Sequence, residues 1–124
     1  MGSSVTLKNG ILYVKAWGDC IDEDVITSTG TSDQLIDEYE LKKIRYLVDF
    51  SGVDKVRPSA RQALQQRLRN MGRKGDVRYA IVGLSATFAN LVKLFLKALR
   101  TTSEFRFFTD ACKAEQWLRD QLET

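Results

Sequence analysis

Apolar and polar positions along the chain alternate first at strand spacing and then at alternating helix and strand spacing. Val5 to Lys8 and Ile11 to Gly18 are rich in β-formers and are separated by Asn9-Gly10, a strong two-residue hairpin signal. They predict an antiparallel hairpin. In its second run Ile11, Tyr13 and Lys15 alternate with Leu12, Val14 and Ala16. Both faces are substantially apolar, as in a strand inside a sheet.

Helical spacing follows over about Asp22 to Glu40, through Val25, Ile26, Thr29, Ile36 and Tyr39. Asp22 reads as the N-cap, with Glu23 and Asp24 in the first turn, where the helix dipole favours acids. The run Thr27-Ser28-Thr29-Gly30-Thr31-Ser32 has poor helix propensity. A break near Gly30, with Ser32 capping a restarted helix, is therefore expected.

Arg45 to Phe50 predicts a third strand, bounded by a Ser51-Gly52 turn. Pro58 suits the first position of a second helix, whose apolar stripe is Ala60, Leu64, Leu68 and Met71. Gln62, Gln65, Gln66, Arg69 and Arg73 take its opposite face, and the helix stops near Gly72. Val77 to Leu84 reads as a strand buried on both faces. Ser85 then caps a third helix through about Arg100, with Phe88, Leu91, Val92, Phe95 and Leu99 inward and Leu94 and Leu96 on the shoulders of the stripe. Phe105 to Phe108 is the last strand, and Asp110 caps a final helix that turns Ala114, Trp117, Leu118 and Leu122 inward. The order ββαβαβαβα predicts an α/β fold in one domain over residues 1–124. Its five-stranded sheet is mixed and mostly parallel, with right-handed crossovers.

Composition narrows the chemistry. Hydrophobic content of 44% and charged content of 28% describe an ordinary soluble globular protein. No apolar run reaches the length of a membrane span and the first residues lack a signal-peptide pattern, so a cytoplasmic location is expected. Histidine is absent, which removes Ser/His and Cys/His catalysis and the common zinc-hydrolase motifs. Cys20 and Cys112 have no CxxC partner and read as small packing residues. No phosphate loop or dinucleotide fingerprint occurs. The chain reads as a non-enzyme with no catalytic residue, no metal and no cofactor.

Two acidic features have local explanations. Asp49 caps the following loop through backbone N–H groups, and Asp22-Glu23-Asp24 serves the helix start rather than a cation. Charge is nevertheless divided along the chain. Acids outnumber bases ten to three over residues 19–54, and bases outnumber acids ten to one over residues 57–100. The two surfaces either complement each other or seek an acidic partner, nucleotide or lipid head group. Gly72-x-x-Gly75 with Arg73 and Lys74 is explained by a helix end, and no exposed aromatics interleave with the bases, which argues against nucleic acid.

Three short motifs carry a family resemblance. The order of elements, Gly18-Asp19-x-x-Asp22 and Leu47-Val-Asp49-Phe-Ser51-Gly52-Val53-Asp54 resemble the STAS domains, the fold of anti-sigma-factor antagonists. The ending Phe107-Phe108-x-Asp110-x-x-x-Ala114-x-x-Trp117-Leu118 is similar to that of bacterial SpoIIAA-like, STAS/SEC14-related proteins. The resemblance implies a SpoIIAA-like fold and work through protein contacts. It also implies a phosphorylatable serine at the start of the second helix, in a pattern like Asp-Ser-Ser-Gly. Here that pattern falls on Arg57, Pro58, Ser59 and Ala60, and Pro58 has no hydroxyl.

Ser59 is the substitute acceptor, between Arg57 and Arg61. Its expected role is local, satisfying a backbone group. The leading expectation is a STAS-like interaction module, a homodimer with a protein partner. Its anion-seeking contact residues are Arg57, Ser59, Arg61, Lys93, Lys97 and Arg100, and Leu94 and Leu96 form an apolar interface. The alternative is a small-ligand or lipid-binding domain with an apolar pocket beside the third helix.

Overall fold

The computed structural model describes residues 2–71, 76–84, 89–90, 92–94, 97 and 104–123. The elements are β1 (Gly2–Lys8), β2 (Ile11–Cys20), α1 (Asp22–Glu38), β3 (Lys43–Val56), α2 (Pro58–Met71) and β4 (Asp76–Val82), then β5 (Glu104–Phe108) and α4 (Ala111–Glu123). Between β4 and β5, residues 89–90, 92–94 and 97 are helical and form the described part of α3. Ser85, Phe88, Leu91, Phe95, Leu96, Leu99 and Arg100 lie outside the described residues, as do Gly72 to Gly75.

The hairpin forms as expected. Asn9 and Gly10 take φ of 53° and 79°, the two positive values of a type I′ turn, and β1 pairs antiparallel with β2. The sheet order is β1-β2-β3-β4-β5, and every pair beyond the hairpin is parallel. Because the parallel strands advance in one direction, right-handed crossovers put α1, α2 and α3 on the same face. There Leu12, Ile44, Tyr46, Tyr79 and Ile81 pack with Ile36 of α1 and Leu68 of α2. On the other face α4 turns Ala114 and Leu118 onto Ile11, Leu47, Ala80 and Val82.

Two aromatic contacts join three strands under the helix layer. Tyr46, Tyr79 and Phe105 are register neighbours on β3, β4 and β5, and their rings stack at 4.9 and 4.7 Å. Such cross-strand pairs hold neighbouring strands in register beyond the backbone bonds.

The structure corrects several expected boundaries. α1 is continuous through Gly30, and its N-cap is Ile21, not Asp22. The weak middle holds because Ser28, Thr29, Thr31 and Ser32 each donate a hydroxyl bond to a carbonyl three or four residues back. Ser32 is buried mid-helix and caps nothing.

No turn forms at Ser51-Gly52. β3 runs on to Val56, and its pairing with β2 absorbs two register shifts, between Lys15 and Trp17 and between Gly18 and Asp19. At the first shift the backbones close up, so that a Cβ on Gly52 would lie 3.1 Å from Trp17 Cβ. β4 ends at Val82 rather than Leu84, where Gly83 turns to positive φ. Cys20 is buried as expected, whereas Cys112, expected to pack, sits exposed at the start of α4.

One buried charge was not foreseen. Arg45 is 1% exposed on the α4 side of β3 and binds the Asp76 carboxylate at 2.9 Å. It also donates to the carbonyls of Asp76 and Gln121, while Lys43 donates to that of Leu122. Two cations thus meet the carbonyl end of α4, where the helix dipole is negative. No helix among the described residues is long and apolar enough to cross a membrane.

Candidate functional site at the starts of α1 and α2

The last residues of β2 and β3, Cys20 and Val56, are register partners. Two helices therefore begin side by side at one end of the sheet. The Arg57 N–H donates to the Cys20 carbonyl at 2.9 Å, and the Ser59 hydroxyl accepts the Asp22 N–H at 3.3 Å. Beneath them Ala16, Cys20, Val25 and Ala60 make a small apolar cluster that fixes both junctions. The Cys20 thiol is pushed up in pKa by this burial and further by Asp24 and Asp19, so it stays a thiol.

The two helix starts differ in charge. α1 has Asp22, Glu23 and Asp24 in its first turn, and the Asp24 carboxylate accepts the Ile21 N–H at 3.0 Å. α2 has no acid in its first turn. Its positive end is met by neutral Ser59 and by exposed Arg57 and Arg61. Arg57 is already paired with Asp19 at 2.8 Å, and Asp49 accepts the Ser51 N–H as expected, although the segment it serves is strand and not the expected loop. No ion pair to Arg61 occurs among the described residues.

Of the expected contact residues, the structure groups Arg57, Ser59 and Arg61. Lys93, Leu94 and Lys97 are exposed on α3, and the Lys93 ammonium lies 5.2 Å over the Phe107 ring of β5, two strands from β3. The two sets form separate patches on the helix layer. Leu94 is 66% exposed, while Leu96 and Arg100 lie outside the described residues.

A polar network under α1 and α2 was missed. Arg67 of α2 donates to Asp33 at 2.8 Å and to the Ser32 and Tyr46 hydroxyls at 3.2 Å, and Tyr46 donates to Ser32 at 3.0 Å. Burial works against the Arg67 charge, yet the bonds to Asp33 and Tyr46 outweigh it and raise its pKa. The sequence signal was a base beside the apolar stripe, between Leu64 and Leu68. On the opposite face a groove of about 340 Å³ is lined by Ser4, Thr6, Tyr13, Lys15, Asp49 and Glu115, away from the helix starts.

This architecture has known counterparts. A SpoIIAA-like family model matches residues 11–119. An uncharacterized DUF3478-family protein with a SpoIIAA-like fold from Shewanella loihica PV-4 is 23% identical, with a TM-score of 0.72, over 94% of this chain and 93% of that one. The anti-sigma factor antagonist SpoIIAA in its unphosphorylated form is 12% identical, with a TM-score of 0.60 and 98% of each chain covered. An anti-sigma factor antagonist from Mycobacterium paratuberculosis is 14% identical, with a TM-score of 0.58, over 95% of this chain and 93% of that one. No curated protein matches the sequence. With the family model matching residues 11–119, all but the chain ends, the chain belongs to the SpoIIAA-like family.

Proposed function

We propose that the chain is a non-enzymatic docking module, one domain over residues 1–124, which binds a protein partner in the cytoplasm and does so as a homodimer. The observation that carries this reading is the junction of α1 and α2. Arg57, Ser59 and Arg61 stand exposed at a helix start without an acid, and Asp22 and Asp19 tie that start to its neighbour. An exposed, charged surface suits a macromolecular contact better than an enclosed small molecule.

The module differs from a phosphorylation switch in one atom group. Pro58 begins α2, where a switch needs a hydroxyl, and the Ser59 hydroxyl is engaged by the Asp22 N–H. Docking is therefore constitutive. Leu94, exposed on α3, supports a contact surface rather than the lining of an apolar pocket.

Affinity capture from the native cells tests the reading, with the wild-type chain compared with Arg61→Glu and with the double change Arg57→Glu, Arg61→Glu. A protein held by the wild type and lost from both folded variants is the expected result. Equal capture by all three overturns the assignment of this surface. Phosphate on Ser59, found by mass spectrometry of protein from the same cells, would overturn constitutive docking.

A further inference from the structure

Because α1, α2 and α3 lie in one layer in that order, its two flanks carry opposite charge. The outward stripe of α1 runs through Glu23, Thr27, Gly30, Gln34, Asp37 and Glu38, all exposed. The exposed side of α3 presents Asn90, Lys93, Leu94 and Lys97. Between them α2 turns Gln62, Gln66 and Arg69 to the surface, with Arg61 exposed at its start. Each charged flank also carries an apolar side chain in the open, Ile26 at 61% exposure on α1 and Leu94 at 66% on α3.

We infer that this layer is a self-complementary interface for a second copy of the chain, in which the acidic α1 of each copy lies on the basic α3 of the other. This deepens the homodimer of the preceding reading and rests on it. A two-fold axis in the plane of contact, inclined to α2 and crossing it over Gln62 and Gln66, exchanges the flanks in this way and sets α2 across its own copy. Side chains on such an axis must tolerate themselves, and Gln62 and Gln66 do. Arg69, one turn on, diverges from its symmetry mate as the helices cross.

The dimensions suffice. α1 has 17 residues and so is about 25 Å long, and three helices at roughly 9 Å spacing span a similar width. A layer of that size offers on the order of 700 Å² per copy, near the lower-middle range of stable protein interfaces. Ile26 and Leu94 supply apolar contact, and the charges set which flank meets which.

Charge exchange tests the arrangement on the full chain. One variant carries Lys93→Glu and Lys97→Glu, the other Glu23→Lys, Asp37→Lys and Glu38→Lys, and circular dichroism checks that each is folded. Light scattering is expected to show a wild-type dimer and a dissociation constant raised about 100-fold or more in either variant alone, since like charges then oppose at both contacts. An equimolar mixture restores both contacts, and native mass spectrometry is expected to show the mixed dimer. Variants that stay dimeric, or a mixture that stays monomeric, overturn the α1-on-α3 pairing. A monomeric wild type overturns the homodimer as well, while docking through Arg57 and Arg61 is judged separately by the capture experiment.

Discussion

The Ser59 hydroxyl accepts the backbone N–H of Asp22 at 3.3 Å, so the first turn of α2 is fastened to the first turn of α1. The bond lies at the surface, and water replaces the hydroxyl when it is removed. Ser59→Ala is therefore expected to cost only about 0.5 kcal/mol in urea unfolding, the lower end for a neutral hydrogen bond. A loss above about 2 kcal/mol would mean that the junction depends on this one contact far more than its exposure allows.

Deeper in the same layer, Arg67 holds α2 to α1 and β3 at once. Its side chain is 14% exposed, and it binds Asp33, Ser32 and Tyr46. Arg67→Met keeps the apolar stem but leaves the Tyr46 and Ser32 hydroxyls with only each other and the Thr29 carbonyl. Asp33 is 35% exposed and can be hydrated, which moderates the damage. The expected cost is about 2 kcal/mol by urea unfolding, below the range for breaking a fully buried pair. Arg67→Lys should fall between, because an ammonium cannot reach three acceptors with the geometry of a guanidinium.

These two sites differ in how far the sequence revealed them. The strand and helix order, the Asn9-Gly10 turn, the Asp110 cap and the role of Asp49 followed from local rules, since each depends on residues a few positions apart. Arg45 and Arg67 could not be placed that way. Their partners Asp76, Gln121, Asp33 and Tyr46 are 21 to 76 positions away, and only the sheet order brings them together. The extent of β3 was misjudged for a related reason. Ser51-Gly52 has the composition of a turn, but pairing with Trp17 through a shifted register keeps it extended. The same holds for Thr27 to Ser32, where back-bonded hydroxyls and tertiary burial override weak helix propensity.

Acid should weaken the protein partly through Asp76. The bond from Arg45 holds its carboxyl below the usual carboxylate range, against an opposing effect of burial and with further help from the charges of Arg45 and Arg78. A folded-state pKa below the unfolded one means stability that is fully present above the ordinary carboxylate pKa. It is lost as pH falls through the depressed value. Once Asp76 is protonated, Arg45 is left facing carbonyls alone. Asp76→Asn is expected to be about 1–2 kcal/mol less stable than the wild type at pH 7, since Arg45 is buried but Asp76 is half-exposed. Urea unfolding below about pH 4 should bring the two proteins together. A gap that stays constant from pH 7 to pH 3 would show that the Asp76 charge does not stabilise the fold.

Where β4 ends, Gly83 has φ of 87°, and a Cβ built on it would lie 2.3 Å from the Ser51 nitrogen and 2.7 Å from the Ser51 Cα. Two independent penalties therefore fall on any side chain there. The backbone conformation alone costs an L-residue about 1 kcal/mol, and the clash is with main chain, which cannot swing aside as a side chain can. Ser51 lies within β3 at its first register shift against β2, just past the Asp49–Val82 pair, so relief of the clash must move β3 away from the end of β4. Gly83→Ala is expected to lose more than about 2 kcal/mol, read as a lower urea midpoint with an unchanged slope. Because Ser51 precedes the β3 residues that lead into Arg57, the same change should also weaken capture of a partner at the α2 start in protein that remains folded. Full stability in Gly83→Ala would mean that β3 is not held against Gly83.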